Sequence, residues 1–152
     1  MIMKRRRLAG LIGLCFLSLS VSARAQDPAS VKTNVTILEA SNEGNDFNLV
    51  NDAYRDELIK LFSYTSYTQI DTVRRELKKA VRETIELPEG YELLLTLHNQ
   101  EMGRVQVQAL IRKEGVAYVD TVVSILQPGV VFVGGPPVKK GGALIIVLET
   151  GF

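Results

Sequence analysis

Along most of this chain apolar and polar residues alternate with a period of two. Residues 104–112 show it most cleanly, with Val105, Val107, Ala109 and Ile111 set against Arg104, Gln106, Gln108 and Arg112. Such a period puts one set of side chains on a buried face and the other in water, which predicts a β-strand. The same reading predicts strands at 33–40, 67–77, 80–87, 91–99, 116–126, 130–133 and 143–149, separated by turn residues such as Pro88-Glu89-Gly90 and Lys113-Glu114-Gly115. Leu93, Leu95 and Leu97 are expected to point inward. Leu144, Ile145, Ile146, Val147 and Leu148 are apolar without alternation, which predicts a strand buried on both faces.

The period changes once. Val50, Tyr54, Leu58, Leu61 and Phe62 recur at intervals of three and four, the signature of one helical face, and predict a helix over 49–63. Asp46 or Asn48 could cap it, and Asp52 lies near the first turn, where the helix dipole favours an anion. A second helix over 72–86 competes with the strand reading, because Arg, Glu, Leu, Lys and Ala are good helix formers. Val81, Thr84 and Ile85 are β-branched and Pro88 stops the segment, so strands are favoured. The pattern therefore predicts a mainly β (α+β) fold: an antiparallel β-sandwich of about seven to eight short strands with one amphipathic helix near the N-terminus. That helix would cover an open end or a sheet edge. Tyr54, Phe62, Tyr64 and Tyr67 would pack it onto the sheet, with an exposed aromatic patch as the alternative.

The first 25 residues read differently. Lys4, Arg5, Arg6 and Arg7 precede an apolar run at 8–21 and an Ala23-Arg24-Ala25 site, the three parts of a cleavable secretory signal in order. A transmembrane anchor needs about 20 apolar residues, and this run is shorter. Cys15 follows Leu14 rather than a small residue, which disfavours lipid attachment. Residues 1–25 are thus expected to be a signal peptide, 26–32 a flexible leader and 33–152 one β-rich domain. Export implies the periplasm or beyond. Asn34-Val35-Thr36 matches a glycosylation acceptor but carries little weight in a bacterial export setting.

Removing the signal alters the charge. The whole chain has 18 basic and 17 acidic residues, but five of the basic ones lie in the signal, so the mature chain is mildly acidic. On net charge it is a poor candidate for nucleic acid or anionic lipid. It has no cysteine and one histidine, His98. No cofactor and no metal are expected, since zinc and copper sites need clustered ligands. A lone His without a G-x-S-x-G elbow lacks a nucleophilic constellation. Glu83, Glu86, Glu89 and Glu92 are the carboxylates that could serve a glycosidase, and a solvated face is the simpler reading of them.

The segment 134–142, Gly-Gly-Pro-Pro-Val-Lys-Lys-Gly-Gly, is glycine-rich but does not match a phosphate-binding loop. It is expected to be a rigid hairpin loop. Its exposed residues Gly134, Gly135, Pro136, Pro137, Lys139 and Lys140 are the candidate partner contact, because loops on rigid scaffolds carry binding.

Several segments together, namely 35–41 (VTILEAS), 61–67 (LFSYTSY), 87–93 (LPEGYEL), 133–136 (VGGP) and 142–147 (GALIIV), resemble a family of small exported bacterial β-rich proteins of unknown function. The resemblance spans nearly the whole mature chain and implies one domain without implying an activity. The function expected from the residues is a non-enzymatic binding module of the bacterial cell envelope, its partner an envelope protein, with no integral membrane span after cleavage. The alternatives are a small carboxylate-dependent hydrolase or carbohydrate-acting enzyme and, because the strand-rich chain ends in Phe152, a small outer-membrane β-barrel.

Overall fold

The computed structural model describes residues 29–50 and 52–151; the expected signal, its expected cleavage site and Phe152 lie outside them. In chain order the elements are β1 (Ser30–Ser41), β2 (Phe47–Asn48), a 3-10 turn (Asp52–Tyr54) leading into α1 (Arg55–Leu61), β3 (Ser66–Lys78), β4 (Arg82–Glu86), β5 (Glu92–Glu101), β6 (Arg104–Lys113), β7 (Val116–Leu126), β8 (Gly129–Val138) and β9 (Gly142–Thr150). They form a five-stranded sheet, β2-β3-β1-β9-β8, and a four-stranded sheet, β4-β5-β6-β7. Apart from β2, which runs parallel to β3, every strand pairing within the sheets is antiparallel.

The order follows from local chemistry. Met102-Gly103 and Glu114-Gly115 have positive φ at both residues, the backbone that joins twisted antiparallel strands through a two-residue turn. With β2 set aside, each strand lies beside its sequence neighbour, and β9 returns to pair with β1. Sheet pairing lapses at two corners, β3 to β4 and β7 to β8, where the chain passes from one sheet to the other. The meander is therefore a two-sheet antiparallel sandwich, mainly β as the alternation predicts. Residues 72–86 are strand on both sides of a corner, in line with their β-branched positions.

Two cores hold it. Between the sheets, Val35, Ile37, Leu93, Leu95, Leu97, Val105, Val107, Ala109, Ile111, Leu144, Ile146 and Leu148 are all at most 1% exposed. Each large aliphatic side chain buried there contributes about 1.5–3 kcal/mol. The second core lies on the outer face of the five-stranded sheet, where Leu38, Ala40, Tyr67, Ile145 and Val147 meet Leu58 of α1. Phe47, Tyr54, Phe62, Tyr64 and Phe132 pack around them. β9 is thus covered on both faces, as its unbroken apolar run predicts. The Tyr67 hydroxyl donates to the carbonyls of Leu58 (3.1 Å) and Phe62 (3.2 Å), so this buried phenol is satisfied. Burial pushes the Tyr67 phenol above its ordinary pKa.

Three expectations need correction. The helix is shorter than 49–63 and covers a sheet face rather than an end or edge. Phe47 and Asn48 pair with β3, and the Asp46 carbonyl accepts from Tyr67 N–H at 2.8 Å, so neither Asp46 nor Asn48 caps α1. Tyr54 takes that position without a side-chain capping bond, its hydroxyl donating instead to Glu149 at 3.2 Å. Of the predicted apolar face, Leu58 is buried, but Val50 is 88% and Leu61 56% exposed. The leader is also shorter than 26–32, because β1 starts at Ser30 and Val31 is buried opposite Leu77.

The third correction concerns 134–142. β8 continues through Gly134, Gly135, Pro136 and Pro137, and only 139–141 form a turn. Proline lacks an N–H and is tolerated here because β8 is the last strand of its sheet. The glycines are set by close approach. A Cβ on Gly135 would lie 2.8 Å from the Leu144 carbonyl oxygen, and one on Gly142 would collide with the Ala40 carbonyl.

Candidate functional site

Every strand runs between two ends of the sandwich. The entry end holds the start of β1, the β3–β4 corner, the β5–β6 turn and the β7–β8 corner. The far end holds the β4–β5 turn at Pro88–Gly90, the β6–β7 turn and the β8–β9 turn.

At the far end the turns are tied together. Glu89 adopts φ 61° in the β4–β5 turn, and its carboxylate accepts the Lys139 backbone N–H at 3.0 Å. Beneath this bond the Tyr91 hydroxyl donates to the Pro137 carbonyl at 3.3 Å. The Tyr91 ring meets Tyr118 edge-on at 5.2 Å, and Lys113 Nζ lies 4.9 Å from its centroid. Burial pushes the Tyr91 phenol up, with Tyr118 and Glu89 adding to the shift. Lys139 and Lys140 are exposed at the tip. Of the six candidate contact residues, then, only these two stand on a turn. Gly134 and Pro137 are exposed on β8, Gly135 is half-buried, and Pro136 is buried.

Of the four candidate carboxylates, Glu83 and Glu89 stand apart and Glu86 and Glu92 face each other. Glu83 Oε2 lies 3.9 Å from Arg75 Nε, and Glu89 holds the Lys139 turn. Glu86 and Glu92 are directly opposite on β4 and β5. They line an open depression of about 740 Å³ together with Tyr91, Arg112 and Glu114. Both sit on the outer face of the four-stranded sheet, since Ile85 and Leu93 take the inner one. Glu92 pairs with Arg112 at 3.0 Å. His98 is exposed on β5. Among the described residues no group of three or more His, Cys, Asp or Glu side chains is placed to hold a metal ion. Asn34 lies in the middle of β1 and donates Nδ2 to Glu149 at 3.4 Å, a partly buried place at odds with its reading as a glycan acceptor.

The entry end holds what the sequence reading missed. Lys32, Arg74, Arg75, Lys78, Lys79 and Arg82 gather on β1, β3 and the β3–β4 corner. A depression of about 370 Å³ lies among Lys32, Arg74, Arg75 and Glu76. Glu76, which accepts from the Ser30 hydroxyl at 2.8 Å, and Glu83 are interspersed with them, and Glu149 lies level with Arg74 across Asn34. In the sequence this cluster shows as five basic residues within 74–82.

Compared with models of protein families, with curated proteins and with solved structures, the chain matches none.

Proposed function

We propose that this chain is a non-enzymatic binding module exported into the bacterial cell envelope, where its far end engages another envelope protein. The observation that carries this reading is the β8–β9 turn. It presents two exposed lysines from a tip held by the Glu89 contact and by the Tyr91–Pro137 bond beneath it. A tip fixed before encounter loses little conformational freedom on binding, and that preorganisation favours affinity. Export rests on the basic, apolar and small-residue order of 1–25. The packing supports a water-facing sandwich over the membrane-barrel alternative, because the interior is aliphatic while Arg104, Gln106 and Gln108 of β6 face outward; lipid-spanning barrels need the reverse.

In-cell crosslinking followed by recovery of the tagged protein tests the reading. One partner at fixed stoichiometry is expected, lost in Lys139→Glu/Lys140→Glu while folding is unchanged. Recovery of the same partner by that variant would remove the turn from the account, and recovery of none would remove the module reading.

Glu86 opposite Glu92 gives the carboxylate-hydrolase alternative its one specific feature. It predicts glycan turnover that Glu86→Gln abolishes; a panel of envelope glycans left intact by the unaltered protein would set it aside.

A further inference from the structure

The entry end, with its β5–β6 turn and Glu149 level with Arg74, carries seven basic and four acidic side chains, whereas the other described residues carry six basic and twelve acidic. A mildly acidic domain is thus polarised, with a formal +3 gathered at one end. Lys78, Lys79 and Arg82 form no ion pair among the described residues. They flank a tight corner in which Val81 N–H bonds to the Lys78 carbonyl at 3.0 Å and Ala80 has φ 61°.

Two further observations concern the same end. Apolar side chains stand in solvent there: Val81 is 46% exposed at the corner, and Met102, at the tip of the β5–β6 turn, is fully so. The chain also enters there. The Ala29 carbonyl accepts the Lys79 N–H at 3.1 Å. Among the described residues two ion pairs lie elsewhere, Glu92–Arg112 and Lys60–Glu57, and one, Arg75–Glu83, lies at this end.

We propose that the entry-end corner docks on the surface of an anionic phospholipid bilayer, with Lys78, Lys79 and Arg82 against headgroup phosphates and Val81 at the level of the interface. Net charge misses this because attraction to a charged surface is screened within about 8–10 Å, so the local end decides and the distant acids do not. A basic cluster of this size is what anionic lipid attracts, each residue raising the partition coefficient about fivefold. Docked this way, the domain points its Lys139-Lys140 turn away from the lipid, although the docking does not depend on that turn having a partner.

The test is co-sedimentation of the exported protein, its N-terminus first read by mass spectrometry, with vesicles of phosphatidylglycerol and phosphatidylcholine mixed or of phosphatidylcholine alone. Binding to the anionic vesicles, released by high salt, is expected. The K78Q/K79Q/R82Q variant should bind on the order of 100-fold more weakly with an unchanged circular dichroism melt. Equal binding to both vesicle types, or binding unchanged in the variant, would overturn the proposal. So would a salt-sensitive self-association, lost in that variant and without vesicle binding, since the corner would then be meeting the acidic side of a second copy.

Discussion

The two ends of this sandwich differ in how their charged groups are held. At the far end Glu89 and Lys113 are tied into the fold, Glu89 holding the turn that exposes Lys139 and Lys140 and Lys113 sitting over Tyr91. At the entry end Lys78, Lys79 and Arg82 form no ion pair among the described residues and surround a solvent-exposed Val81. A group that stabilises the fold leaves a stability cost when removed. A group kept for a partner leaves a binding cost and little else. The contrast can therefore be measured by comparing the same kinds of substitution at both ends.

The largest effect is expected from Tyr91→Ala, which removes a 94% buried ring, its hydroxyl bond to Pro137 and its edge contact with Tyr118. Denaturant unfolding should show a loss of about 3–5 kcal/mol. A loss below 1 kcal/mol would mean that the far-end turns are not locked through this residue. Tyr91→Phe keeps the ring and should cost about 0.5–1.5 kcal/mol.

Two phenols contribute to the alkaline behaviour. Tyr91 and Tyr67 both titrate above their ordinary value in the folded protein, so the folded state keeps protons that the unfolded chain releases. Their contribution is complete below about pH 10 and is lost as pH rises through the folded values. Melting temperature should fall on that alkaline limb, and less steeply in Tyr91→Phe. A limb of equal slope in the variant would assign the loss to other groups.

Glu89→Ala, which releases the β8–β9 turn, should cost about 1 kcal/mol and raise amide exchange at Lys139. Unaltered exchange there would mean that the turn is held by its strands alone. The smallest effects belong to the entry end: Lys78→Gln, Lys79→Gln and Arg82→Gln should each shift stability by no more than about 0.5 kcal/mol. A destabilisation as large as that of Glu89→Ala would make the corner structural and erase the difference between the ends.

Much of this fold is legible in the alternation. β6 and β5 follow it closely, and the unbroken run at 144–148 signals a strand covered on both faces. β8 was hidden because Gly-Gly-Pro-Pro reads as a turn by local chemistry. Only the tertiary setting shows an edge strand that tolerates proline and two backbones too close for a side chain. The helix was overextended because its face-forming spacing includes Val50, which ends in solvent once Phe47 and Asn48 are taken by β3. The far-end tip was half legible, as Lys139 and Lys140, while Glu89 and Tyr91, which fix it, lie some 50 residues away in sequence. The entry-end corner was missed because a net charge averages over a molecule whose charge is separated in space.

Site-specific photo-crosslinking in the envelope of living cells tests the division between the ends most directly. A photoreactive residue at position 140 should give one protein adduct of defined mass, and at position 82 lipid adducts with no protein band. The same protein band from both positions, or a protein adduct at 82 and none at 140, would contradict it.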